Sequence, residues 1–229
     1  MSSFCEITVC GEVLRLLPEK ALWWRTASAL FIADTHFGKE ATFRASGIPI
    51  GDDPLRGDLE RLSSLLDATS ARRLIVLGDL LHARAGRTAH TLANITHWRL
   101  QHSELGIDLV KGNHDRSAGM PLEEWNVRLL PEQHREGPFV FSHYPREEAG
   151  GFVLAGHLHP KVRLVEQGQR SEKLPCFWFQ KGIAVLPAFG SFIDSAVIGP
   201  HEGDRIFAVA GSTIHEIASR PPRPGPRAA

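Results

Sequence analysis

The chain has 229 residues, 42% of them hydrophobic, and its 26 Lys and Arg balance 26 Asp and Glu. That composition excludes collagen-like, coiled-coil and wholly disordered chains, and it excludes a surface basic all over that would coat nucleic acid indiscriminately. Three cysteines without C-x-x-C spacing (Cys5, Cys10 and Cys176) exclude a disulfide framework, point to a reducing compartment and are expected to be small buried hydrophobes.

Residues 7–17 and 21–25 are β-rich, parted by Pro18-Glu19-Lys20. Strand alternation is expected to bury only one of Trp23 and Trp24. Residues 29–33 form an unbroken apolar run, as in a strand covered on both faces. Asp53-Pro54 reads as a helix N-cap followed by proline at the first helical position, and Leu55, Leu59, Leu62, Leu65 and Leu66 follow at helical spacing. A second buried strand at 74–77, a helix over 88–102 and a strand at 107–110 come next. Alternating strands and helices predict crossovers and a mainly parallel sheet. Short strands at 139–141, 151–154, 161–165, 176–180, 184–186 and 205–210 then predict a second sheet facing the first. Residues 1–219 are expected as a single domain and 220–229, Pro/Arg-rich, as a disordered tail. Neither a signal peptide nor an 18-residue apolar run is present, so a cytoplasmic protein without a membrane span is expected.

In open α/β sheets, ligand-binding groups collect beyond the carboxyl ends of strands. Five strands here run into Asp34-Thr35-His36, Gly78-Asp79, Gly112-Asn113-His114-Asp115, Ser142-His143 and Gly156-His157-Leu158-His159. Asp34, His36, Asp79, Asn113, His143, His157 and His159 offer two carboxylates, one amide and four imidazoles. With one carboxylate and a solvent oxygen shared, such a set can hold two divalent ions. Mixed O and N donors without thiolate suit Mn first, or Fe or Zn. Two such ions clamp the attacking and leaving oxygens of a phosphoryl transfer.

D-x-H, G-D, G-N-H-D, a lone His and G-H-x-H, in that order over residues 34–159, resemble the calcineurin-like metallophosphoesterases. The resemblance implies an α/β fold, a four-layer α/β/β/α sandwich with two facing mixed sheets. It implies one ion on Asp34, His36, Asp79 and His159 and a second on Asp79, Asn113, His143 and His157, with Asp79 bridging. It also implies His114 as general acid, its imidazole oriented by Asp115. More narrowly, residues 34–49, 77–84 and Leu186-Pro187-Ala188-Phe189-Gly190 resemble the ligase-associated DNA damage response endonucleases. That likeness implies a metal-dependent phosphodiesterase acting on DNA in repair, in functional association with a ligase, a helicase and an exonuclease. Residues 191–195 depart from the glycine-rich continuation of that family, which leaves the contacts of this loop open.

Lys39, Arg44, Arg84 and Arg87 flank the first two blocks and are candidates for positioning a phosphate, with Gly86 admitting an anion to the backbone. His82 is a candidate substrate contact or a hydrogen-bonded structural residue. Within the same superfamily the alternatives are a small-nucleotide phosphodiesterase and a phosphomonoesterase. Outside it stands a non-catalytic scaffold on the same fold, against which the complete donor set argues. A zinc amidohydrolase is disfavoured because its H-x-H opens the first strand, whereas His157-Leu158-His159 comes last.

Overall fold

The computed structural model describes residues 4–50, 53–165 and 171–217. The expected tail at 220–229 lies outside them. The first sheet runs in chain order through β1 (Cys5–Val9), β2 (Glu12–Leu17), β3 (Ala21–Trp24), β4 (Ala29–Ile32), β5 (Arg73–Val76), β6 (Gly106–Val110) and β7 (Val127–Leu130). Its first four strands are antiparallel and the rest are parallel. Helices α1 (Lys39–Ala45), α2 (Pro54–Thr69), α3 (Ala89–Gln101) and α4 (Asn113–Ala118) lie in the connections. The β-rich stretch 7–17 is a hairpin, turned at Cys10 and Gly11, both with positive φ.

The second sheet contains β8 (Gln133–Glu136), β9 (Phe139–Ser142), β10 (Phe152–Ala155), β12 (Ser171–Gln180), β13 (Ile183–Val185), β14 (Arg205–Ala210) and β15 (Thr213–Ile217), with β11 (Lys161–Val165) paired to β12. Its order is β15-β14-β12-β13-β10-β9-β8, and among the described residues its parallel pairs are β9–β10 and β10–β13. The expected α/β sandwich of two facing mixed sheets with flanking helices is therefore present.

Period-two alternation sorts the apolar side chains into layers. Leu30, Ile32, Leu74 and Val76 face Leu55, Leu59, Leu62 and Leu66 of α2 and Ile95 and Trp98 of α3. Phe31, Ile75 and Leu77 face Phe139, Phe141, Leu154, Phe177 and Phe207 of the second sheet. On the far side of that sheet, Val140, Val153, Trp178 and Val185 pack with Val162, Leu164, Leu174 and Ile198. Helix α2 starts as expected, with Asp53 accepting from the Arg56 N–H and Pro54 at its first position.

Two sequence expectations are corrected. Trp23 and Trp24 are both buried, because β3 is covered on both faces: Trp23 joins the helix-side core and Trp24 the inter-sheet core. Of the cysteines only Cys176 is buried; Cys5 is half-buried and Cys10 is exposed at the hairpin turn.

An ionic strap joins the sheets at one edge. Asp108 of β6 is nearly dry, accepts from Arg73 of β5, and accepts from Arg128 Nε of β7 at 2.6 Å; Arg73 Nη1 also donates to Glu136 of β8 at 2.7 Å. Burial opposes ionisation of Asp108, but hydrogen bonds from Arg128 and Arg73 outweigh it and hold its carboxyl below its ordinary value. Its contribution to stability is thus present above the ordinary carboxylate pKa of about 4 and fades as pH falls through the lowered folded value. Asp108→Ala should cost about 3 kcal/mol, because it takes the carboxylate from Arg128 and leaves Arg73 with Glu136 alone. Urea unfolding at neutral pH tests this, and the loss should shrink toward acid pH.

Candidate metal centre

Carboxyl ends of strands from both sheets converge on one place. After β4, Asp34 N donates to Gly78 O (3.1 Å) and His36 N to Asp79 O (2.8 Å), which ties the first two blocks together. From the second sheet, His157 N donates to Asp34 Oδ2 (2.8 Å) and Gly156 N to His143 O (3.2 Å). Asp34, His36, Asp79, His157 and His159 all have φ between 45° and 73°. Left-handed backbone at non-glycine residues costs energy and collects at functional sites, and Asp and His tolerate it best.

The glycines of the motifs make room for ligands of other blocks. A Cβ on Gly78 would stand 2.0 Å from His143 Nδ1, and one on Gly112 would stand 2.1 Å from Asp79 Oδ1. Gly112→Ala should therefore lower both the metal content and kcat/KM by roughly 100-fold while leaving the far-UV circular dichroism unchanged. Metal analysis alongside diesterase assay checks it.

The donor atoms face inward in two overlapping sets. Asp34, His36 and His159 form one, with His159 Nε2 at 3.4 Å from His36 Nε2 and 3.5 Å from Asp34 Oδ1. In the other, His143 Nε2 lies 3.0 Å from Asn113 Oδ1 and 3.1 Å from His157 Nδ1. Asp79 Oδ2 stands between the sets, 3.6 Å from His36 Nε2 and 3.7 Å from His143 Nε2. All seven residues expected as ligands are brought together.

The hydrogen bonds behind the imidazoles fix which nitrogen faces inward. His143 Nδ1 donates to Leu77 O (3.0 Å) and His159 Nδ1 to Asp194 O (2.8 Å), so each Nε2 presents a lone pair to the centre. Burial first, then the neighbouring imidazoles, pushes His36 far below the ordinary value, so it is neutral, as a metal ligand must be. Burial, with the Asp34 charge adding to it, raises the Asp79 carboxyl. Asp34 Oδ1 is buried without a hydrogen-bond partner among the described residues. Facing lone pairs, two buried carboxylates and an orphaned oxygen are an unfavourable arrangement unless cations lie among them. The donor set therefore fits two divalent ions.

His114 lies at this centre: its N–H donates to Asp79 Oδ1 (2.8 Å) and its ring meets that of His36 at 4.7 Å. The expectation that Asp115 orients the His114 imidazole is corrected. Asp115 instead accepts from Gly112 N (2.9 Å) and Leu81 N (3.2 Å), capping α4. The His114 ring is held by His82, whose carbonyl accepts from His114 Nδ1 (2.8 Å) and whose imidazole stacks on it at 4.8 Å. His82 Nδ1 also lies 3.1 Å from His36 Nδ1.

The four cations divide. Arg84 is exposed, with no partner among the described residues. Arg87 is tied to the end of α4, donating to Gly119 O and Met120 O. Arg44 is exposed on α1 and donates to Ile50 O. Lys39 is nearly buried and pairs with Asp194. Gly86 lies against the Gly38 backbone: a Cβ there would stand 2.4 Å from Gly38 O. Sequence reasoning missed Tyr144 and Asp194. The Tyr144 ring packs on His143 and His157 at 4.8 and 4.7 Å, a contact whose one sequence signal is its place next to His143.

A solved structure shares the fold that carries this centre. The nuclease MPE of Pseudomonas putida superposes with a TM-score of 0.82 at 35% identity, covering 94% of this chain and 100% of that one. A phosphoesterase from E. coli aligns only loosely, with a TM-score of 0.41 at 15% identity over 83% of this chain and 98% of its own. No protein-family model and no curated protein matches the chain.

Proposed function

Since the chain belongs to the calcineurin-like metallophosphoesterases, in the nuclease family of Pseudomonas putida MPE, we propose that it cuts phosphodiester bonds of DNA during repair, with two Mn ions as cofactor. The observation that carries this reading is the pair of buried carboxylates, Asp34 and Asp79, ringed by inward-facing imidazoles. Asp34, His36 and His159 would hold one ion and Asn113, His143 and His157 the other, with Asp79 within reach of both sets. When bound, the ions polarise water toward phosphorus and offset the charge that builds on the transferring group.

The remaining work falls to the chain's own side chains. With Nδ1–H committed to the His82 carbonyl, the His114 proton that can pass to the leaving oxygen is the one on Nε2. Arg84, exposed and unpaired, steers the strand by its charge. The cytoplasm and the company of a ligase, a helicase and an exonuclease belong to the same proposal, supported by the sequence likeness.

Protein reconstituted with Mn, Fe or Zn should be assayed on single-stranded and duplex DNA, RNA, cyclic nucleotides, bis-p-nitrophenyl phosphate and p-nitrophenyl phosphate. Cleavage of DNA and of the diester above the monoester is expected. Preference for p-nitrophenyl phosphate overturns the reading, and metal content near zero in a folded protein favours a scaffold.

A further inference from the structure

Residues 191–195 form a wall of the site beside His159, and Asp194 makes two separate contacts there. Its carbonyl accepts from His159 Nδ1 at 2.8 Å, while its carboxylate accepts from Lys39 Nζ at 3.1 Å. The partners in that ion pair are very unequally placed: the Lys39 side chain is 10% exposed and that of Asp194 100%. The ammonium lies 5.8 Å from the Phe43 ring and 5.9 Å from the Phe192 ring, which meet edge to face. Lys39, Phe192 and Ile193 line a narrow crevice together with His36. Lys39 is also near enough to His36 and His82 for its charge to lower the proton affinity of both.

An ammonium so enclosed has a standing need for an anion. A carboxylate bathed in water loses little by leaving, because exposed ion pairs contribute little. A phosphodiester, with its charge-assisted hydrogen bond, is the stronger partner for a cation at the rim of a phosphate-hydrolysing site.

We propose that Lys39 is the subsite for a second phosphate, the neighbour of the scissile one along a polynucleotide, and that Asp194 occupies it in the free enzyme until the strand displaces it. This rests on the phosphodiester reading above. It makes Asp194 a built-in competitor that favours chains of phosphates over single ones.

The test compares Asp194→Asn, Lys39→Met and the double variant on a single-stranded DNA dodecamer and on bis-p-nitrophenyl phosphate, which carries one phosphate. The readout is the ratio of the two KM values. Asp194→Asn should lower the dodecamer's relative KM about fivefold and Lys39→Met should raise it about tenfold. In the double variant the ratio should match that of Lys39→Met, since without the ammonium there is nothing to compete for. If Asp194 serves only through its carbonyl, which braces His159 and which Asp194→Asn keeps, the ratio stays unchanged, and that overturns the proposal; so does a loss that falls equally on both substrates. The Ki of the dodecamer against bis-p-nitrophenyl phosphate hydrolysis gives a second readout that needs no cleavage. A dodecamer that binds without being cut ends the nuclease reading, while the subsite stands or falls on how Ki moves in the same variants.

Discussion

Replacing Asp79 with alanine should lower kcat/KM on bis-p-nitrophenyl phosphate by at least about a thousandfold and leave the protein with fewer than two ions per chain. The reason is the position of its two oxygens. Oδ2 faces His36 on one side and His143 on the other, so a single truncation removes a donor from both donor sets. Oδ1 accepts from the His114 N–H, so the same truncation releases the start of α4, which carries both Asn113 and His114. Asp79→Asn keeps an acceptor for that N–H and loses the charge, which separates the two contributions. Stability should move the other way. Asp34 and Asp79 are buried side by side, and burial penalises the charged form of Asp79. Metal-free Asp79→Asn should therefore melt above metal-free wild type. Full Mn-dependent activity in Asp79→Ala would falsify the shared-ligand assignment.

The second large effect is expected at His114, and it should depend on the leaving group. DNA expels an alkoxide that needs a proton as the P–O bond breaks, whereas p-nitrophenolate leaves without one. His114→Ala should therefore lower kcat on DNA by about 10²–10⁴-fold and act much less on bis-p-nitrophenyl phosphate. Equal losses on both would reassign His114 to binding or to support of α4 through Asp79. Asp115→Asn is the companion control: it touches Gly112 N and Leu81 N, not the imidazole, so it should lower the melting temperature more than it changes leaving-group dependence.

The metal-facing residues were legible because each sits where an apolar run stops. A buried strand cannot carry free polar groups along its length, so Asp34, Asp79, Asn113, His143 and His157 stand just past the last apolar residue. Other features follow rules that a linear reading does not expose. Adjacency in G-N-H-D suggested that Asp115 serves His114. On a helix, neighbours point about 100° apart, and a carboxylate three residues into α4 turns back to the helix start. The pairing of Lys39 with Asp194 spans 155 positions and follows no motif. Polar edge strands such as β8, with its Gln133-His134-Arg135-Glu136, offer no apolar alternation, and the six-residue α4 is too short to show a helical period. Alternation buries only one of Trp23 and Trp24 where a strand has one wet face, and β3 is covered on both sides.

The contacts of Gly78 and Gly112 bear on transplanting this centre into another scaffold. Each is an empty volume reserved for a side chain from a different stretch of the polypeptide, 65 residues downstream for Gly78 and 33 upstream for Gly112. Copying the seven donor residues alone would reproduce the chemistry on paper and collide in practice. The portable unit is the set of donors together with the hydrogens that stand where side chains would otherwise grow.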